Sequence, residues 1–159
     1  MMWFIDADRI STHTLAYAAY EIMHAVSKKR NPSRRGLLFD SGMIKDQSRK
    51  LVNEALRRHA NFFKHGDRDA DSVILFNPAL TESFLIFAIA AFESCDEPLS
   101  DEMSIFREWL RIQKPDTLPD TERKRIEEHY GVEKLDYFRR MPKAAFFDGA
   151  MNEPKGGRI

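Results

Sequence analysis

The sequence predicts an all-α protein, folded as a single-domain bundle of about five helices. Apolar residues recur at helical spacing along most of the chain, and glycine and proline are sparse at 7 each. Runs of β-branched residues are few, which disfavours a sheet. A chain of 159 residues that is 43% hydrophobic, with 12 Phe, can build one core. We expect one helical domain over residues 1–150 and a disordered tail over residues 151–159.

The first helix is predicted over residues 11–28 and carries two stripes, each at i, i+4, i+7, i+11 spacing. The two stripes lie on opposite sides of the helix, so this helix is expected to have two neighbours. The aliphatic stripe, expected to face the bundle core, consists of Leu15, Ala19, Ile22 and Val26. The aromatic and histidine stripe, suited to a partner subunit, consists of His13, Tyr17, Tyr20 and His24.

Capping residues and helix breakers bound the remaining helices. The second helix is predicted over residues 44–64, with Gly66 at the position after its C-cap. The third opens at Asn77-Pro78 and runs to residue 94, and the fourth starts at Ser100 and ends before Pro115. The fifth runs over residues 120–130, and a short continuation, VEKLDYFRRM, follows Gly131.

The formal net charge of zero disfavours a general polyanion binder, but the charges are unevenly distributed. Residues 28–68 hold 12 Lys/Arg and 4 Asp/Glu, a net charge of +8. Five cations lie in the loop after the first helix and are candidate nucleic-acid contacts: Lys28, Lys29, Arg30, Arg34 and Arg35. A solvated loop, or two oppositely charged faces of one bundle, explains the same pattern.

The second helix carries the strongest candidate site. Glu54, Arg58, Asn61 and His65 fall within an arc of about 60° that borders the apolar stripe. Arginine can hold a phosphate bidentately, and histidine can move a proton near neutral pH. Arg58, Asn61 and His65 are therefore the candidate catalytic residues, at a groove edge or a subunit interface. Alternatively, Glu54 and Arg58 form an ordinary ion pair, Asn61 bonds a neighbouring helix and His65 interacts with the helix C-terminus.

His59 lies within the apolar stripe of the second helix and is expected to be a core histidine. Its side chain is therefore not counted with the candidate catalytic residues, and the alternative is a role in which it points into the same groove.

No metal or cofactor is expected. Asp67, Asp69 and Asp71 alternate like the start of a calcium loop, but Ser72 replaces the required glycine and Pro78 the required glutamate. These acids are better explained as a helix-exit turn.

The sequence holds no glycine-flanked nucleophilic serine, no phosphate-binding glycine loop and only one cysteine, Cys95. The start MMWFIDADR does not resemble a signal peptide, and the longest apolar run is too short to span a bilayer. We expect a cytoplasmic protein of bacterial type that does not enter a membrane.

An arginine followed, after four to six residues, by a histidine near the end of a bundle helix resembles the motif of the HEPN superfamily. Here six residues, HANFFK, separate Arg58 from His65. The Asn-x-x-Lys-His string from Asn61 to His65 resembles a variant of that motif. The stretch NFFKHGDRDADSV also resembles one shared by uncharacterised bacterial proteins.

The resemblance implies a dimeric helical bundle, of a kind often linked to toxin–antitoxin or defence systems. Its catalytic members are metal-independent ribonucleases. Arg58 would then hold the scissile phosphate, His65 would assist proton transfer as the ribose 2′-OH attacks, and Asn61 would position the substrate. The basic loop would suit an RNA backbone.

Two other functions remain open. The chain could be a non-catalytic interaction module whose aromatic and histidine stripe on the first helix docks a partner. It could also be a small-molecule sensor that uses the groove beside Asn61.

Overall fold

The computed structural model of the protein describes residues 1–33, 35–36, 38–42, 44–65 and 71–152, and these contain seven α-helices, one short 3₁₀ helix and no strand. The all-helical prediction is confirmed, whereas the expected count of about five helices is wrong. The α-helices are α1 Arg9–Arg30, α2 Asp46–Lys64, α3 Ala79–Glu93, α4 Asp101–Gln113, α5 Asp120–Tyr130, α6 Val132–Arg140 and α7 Lys143–Asn152.

The helices form two compact units. Residues Ala7–Pro98 make up the α1–α3 unit. The N-terminal residues Met1–Asp6 pack with the four helices α4, α5, α6 and α7, and together they form the α4–α7 unit. The expectation of one domain over residues 1–150 stays a prediction. Of the described helices, none combines the length and the apolar character needed to cross a bilayer.

The face of α1 that packs inside its unit is the reverse of the one predicted. Tyr17 and Tyr20 are each 1% exposed, whereas Leu15 and Ile22 are 58% and 61% exposed. The aromatic stripe is the buried face because its rings bury more area than the aliphatic side chains would. Its rings also contact Phe84 of α3, which is fully buried. The stripe is thus part of the unit's own core, and the idea that it docks a partner is wrong.

The core of the α1–α3 unit joins α1, α2, α3 and the connection between α1 and α2. The Phe84 ring centroid lies 5.2 Å from that of Tyr17, and the backbone N–H of Leu38 donates to the Tyr20 hydroxyl at 2.9 Å. The buried cluster consists of Ala16, Tyr17, Tyr20, Phe39, Ala60, Phe84 and Ala88.

Termini in the α4–α7 unit follow the predicted signals. The Ser100 hydroxyl accepts from the backbone N–H of Met103 at 3.3 Å and caps α4, and Gly131 ends α5 with a φ of +73°. Inside this unit the Trp3 ring lies 4.6 Å from that of Trp109 and 5.1 Å from that of Phe106.

The last helix, α7, was not predicted from the sequence. Its residues, KAAFFDGAMN, include Gly149, which weakens a helix, whereas Pro142 just before it and the two alanines suit a helix start. Phe146 and Phe147 are buried and drive the helix by packing. Met151 and Asn152, at the start of the predicted tail, belong to α7, and residues 153–159 lie outside the described part of the chain.

Candidate functional site

The three candidate catalytic residues lie on one open groove. Arg58, Asn61 and His65 are exposed, and the groove that they line has a volume of about 1360 Å³. Val73 and Ile74, from the connection between α2 and α3, line it as well. We call this space the α2 groove. The shared face expected from the spacing on the helix is therefore a shared lining of one cleft.

His65 stands at the very end of α2. Its backbone N–H donates to the carbonyls of Asn61 at 3.1 Å and Phe62 at 3.3 Å, which closes the last turn. The imidazole is thus carried by the residue at which the helix terminates, and His65 lines the α2 groove. Among the described residues, no hydrogen bond or ion pair involves this imidazole.

The ion pair expected between Glu54 and Arg58 does not form. A Glu54 carboxylate oxygen lies 4.0 Å from the Lys50 ammonium instead. Within the part of the chain that the structure describes, Arg58 makes no ion pair or hydrogen bond. Its guanidinium keeps its donors available for an anion in the groove.

A hydrogen bond holds the opposite wall of the groove to α2. His59 Nε2 lies 2.9 Å from the carbonyl oxygen of Leu75. Because a carbonyl can only accept, His59 carries a proton on Nε2. Its Nδ1 is buried and lacks a partner among the described residues. His59 is half-buried, and it fastens the groove wall, a role that the sequence did not indicate.

His13 packs next to His59 in the interior of the α1–α3 unit. The sequence predicted instead that His13 belongs to a stripe facing a partner subunit. Its side chain is fully buried, with Nδ1 3.0 Å from the Thr81 hydroxyl and its ring centroid 6.0 Å from that of His59. Burial, together with the nearby His59, lowers the pKa of His13 to about 4. His13 is therefore neutral at physiological pH.

Phenylalanine rings enclose His13 on several sides. The centroid distances are 6.1 Å to Phe63, 5.0 Å to Phe76 and 5.5 Å to Phe84. Nothing in the local sequence indicates this environment, because the rings come from α2, α3 and the connection between them.

The predicted basic loop is helical in part, because α1 extends to Arg30 and holds Lys28, Lys29 and Arg30 in its last turn. Its charge is partly neutralised within its own unit. The Lys28 ammonium lies 2.5 Å from the Asp40 carboxylate, and Arg30 donates to the Cys95 carbonyl at 2.6 Å and to the Glu97 carboxylate at 3.0 Å. Of the other predicted nucleic-acid contacts, Lys29 and Arg35 are exposed, and Arg34 lies outside the described residues.

Metal ligands do not gather in the described part of the chain. No three His, Cys, Asp or Glu side chains there lie close enough together to hold an ion. Asp67 and Asp69, which suggested a calcium loop at first sight, lie outside the described residues.

Comparison of the chain with protein-family models, with curated proteins and with solved structures found no match. The resemblance to the HEPN superfamily therefore depends on the residues from Arg58 to His65 alone.

Proposed function

We propose that this chain is an HEPN-like, homodimeric, cytoplasmic protein that binds RNA at the α2 groove and cleaves it without a metal. The observation that carries the proposal is the state of Arg58. Its guanidinium is exposed on the groove and unpaired among the described residues, and the same groove is lined by His65. A purely structural arginine on this helix would instead pair with Glu54, which lies one turn away and is taken by Lys50.

The spacing of the two residues suits one phosphodiester. Seven residues along a helix correspond to about 10 Å of axial rise. A long arginine side chain and an imidazole at the helix terminus can span that separation from opposite sides of a phosphate. Asn61 lies between them on the same face, where its amide can bond a phosphate oxygen or a base edge.

The chemistry follows from the roles of these groups. His65, as a neutral imidazole, accepts the proton of the ribose 2′-OH, and the 2′-oxygen forms a bond to phosphorus. The bond from phosphorus to the 5′-oxygen breaks, and that oxygen takes up a proton from the imidazolium or from water. Arg58 stabilises the negative charge on the phosphate oxygens as it builds up. The products are a 2′,3′-cyclic phosphate and a 5′-hydroxyl.

Contacts to the rest of the RNA backbone would come from the basic loop. Lys29 and Arg35 are the exposed candidates, whereas Lys28 and Arg30 are already engaged by carboxylates. Binding through such contacts weakens as the salt concentration rises. The basic loop therefore contributes to affinity and not to the choice of the cleaved bond.

The test is RNA cleavage in the presence of a chelator by the wild type, Arg58→Ala and a control, Arg125→Ala. Arg125 is an exposed helical arginine whose ion pair partner is Glu122, outside the groove. We expect Arg58→Ala to lower the cleavage rate by about 10²-fold or more, because it removes charge stabilisation of the transition state. Arg125→Ala should match the wild type. Equal cleavage rates for Arg58→Ala and the wild type, or no cleavage of a broad RNA set by either protein, would refute the catalytic proposal.

A non-catalytic interaction module is the second candidate. The buried stripe on α1 no longer supports it, but Val73 and Leu75 do, at 96% and 95% exposed. These two side chains present apolar surface to a partner.

A further inference from the structure

The connection between α2 and α3 contains a segment, SVILF at residues 72–76, that is neither helix nor turn. Its side chains alternate. Val73 and Leu75 are the most exposed large hydrophobic residues in the described part of the chain, whereas Ile74 and Phe76 are half-buried. Alternation with a period of two is the pattern of an extended strand, and Val, Ile and Phe favour that conformation.

The backbone of this segment is unpaired on one edge. Within the described chain, residues 72–76 take part in no backbone–backbone hydrogen bond. The Leu75 carbonyl accepts from His59 and so points towards α2. Successive peptide groups of a strand point to opposite edges, so the N–H and C=O groups of Ser72, Ile74 and Phe76 point to the outer edge.

We propose that this outer edge pairs with the same edge of a second copy, in an antiparallel arrangement about a twofold axis at Ile74. The engaged Leu75 carbonyl leaves Ser72, Ile74 and Phe76 as the residues that can form the ladder. Ser72 lies opposite Phe76 of the second copy and Ile74 opposite its equivalent, and each such pair exchanges two N–H···O bonds. The described chain offers no strand of its own to fill this edge.

The side chains explain why the occupant is a second copy. In this register Val73 of each copy lies opposite Leu75 of the other, at the non-hydrogen-bonded sites where side chains approach most closely. The two most exposed apolar residues thus cover each other on one face. Asp71 meets Asn77, so no like charges face each other. A shift of the pairing register by one residue would move every side chain of one strand to the other face of the ribbon. Leu75 would then no longer lie opposite Val73 of the other copy.

The pairing rests on the homodimer of the proposed function but not on its RNA chemistry. Val73 and Ile74 line the α2 groove together with Arg58 and His65. The twofold axis therefore passes beside the segment that forms one wall of the groove.

The first test is sedimentation equilibrium of the full chain, without RNA, for the wild type, Val73→Lys, Ile74→Pro and a control, Val132→Lys. Val132 is a valine that is 68% exposed on α6. We expect a wild-type dimer, an unchanged Val132→Lys dimer, and a dimer Kd raised more than about tenfold in the other two, with circular dichroism unchanged. The Ile74→Pro substitution is expected to act by removing the central N–H donor.

A wild type that stays monomeric overturns both the homodimer and the strand pairing. A dimer that survives both substitutions overturns the strand pairing alone. A monomer that binds a foreign extended peptide at this edge overturns both and gives the edge a different occupant. Loss of RNA cleavage with an intact dimer affects only the proposed function, so the two failures are distinguishable.

The second test examines the register with the chain's own cysteine removed by Cys95→Ala. Val73→Cys and Leu75→Cys chains are prepared separately and mixed under mild oxidation. Random pairing of equal amounts of the two chains would already make the mixed disulfide twice as abundant as either homodisulfide. Because Val73 lies opposite Leu75 of the other copy, we expect the mixed disulfide to exceed that twofold ratio clearly. A mixed disulfide at or below twice the yield of each homodisulfide would contradict this register.

Discussion

Acid should destabilise the α1–α3 unit through His13. This side chain is fully buried, and burial with the neighbouring His59 lowers its pKa from 6.5 to about 4. The unfolded chain therefore binds the proton more tightly than the folded one. The stabilisation is fully present above pH 6.5 and is lost as the pH falls towards 4. The total effect is about 3 kcal/mol, of which about 2 kcal/mol is lost between pH 7 and pH 5.

The assay is urea unfolding followed by far-ultraviolet circular dichroism at pH 7 and pH 5. Trp3 and Trp109 both belong to the α4–α7 unit, so tryptophan fluorescence would follow the wrong part of the chain. The variants are His13→Gln, which removes the titrating group, and His129→Gln, which changes an exposed histidine on α5. Each variant's free energy of unfolding at pH 7 serves as its own reference.

We expect the wild type and His129→Gln to lose about 2 kcal/mol more than His13→Gln on going from pH 7 to pH 5. A similar loss in all three proteins would show that His13 does not carry the acid sensitivity. The burial and the environment assigned to this side chain would then be wrong.

Three further substitutions test the packing, each by the denaturant midpoint. Tyr20→Phe removes the acceptor of the Leu38 N–H and should cost about 1 kcal/mol, and a neutral result would refute the hydrogen bond. Ser100→Ala removes the α4 cap and should also cost about 1 kcal/mol, whereas Ser104→Ala, inside the helix, should not. Leu15→Lys should stay within about 0.5 kcal/mol of the wild type, and a larger loss would restore the aliphatic stripe as the buried face.

Helix termini were the most predictable feature because their signals are local. Ser100, Gly131 and Pro115 act on neighbouring backbone groups, so the bounds of α4 and α5 could be read from short stretches. The bounds of α7 could not, since that helix depends on burying Phe146 and Phe147.

The buried face of α1 was not predictable from hydrophobicity alone. Leu15 and Ile22 rank above His13 and Tyr20 as apolar residues, yet they are exposed. The choice is made by α3, whose aromatic Phe84 accepts rings from α1. That complementarity is a long-range property, and no periodicity within α1 reveals it.

The part of the candidate site that lies on α2 was predictable from the sequence, and the part contributed by the connection to α3 was not. Helical spacing put Arg58, Asn61 and His65 on one face, and all three line the α2 groove. The same spacing predicted an ion pair between Glu54 and Arg58 as the alternative, but Lys50 is the partner of Glu54 in the structure. The opposite wall at residues 72–76 could not be foreseen, because it is fixed by a tertiary hydrogen bond from α2.

The central claim is that His65 and Arg58 act together on one phosphodiester. The most direct measurement is the cleavage of a single-stranded RNA oligonucleotide in chelator by the wild type and by His65→Ala, with mapping of the product ends. We predict products with a 2′,3′-cyclic phosphate from the wild type and a cleavage rate at least about 10²-fold lower for His65→Ala. Cleavage at the same rate by His65→Ala, or of an all-2′-deoxy oligonucleotide by the wild type, would contradict the mechanism.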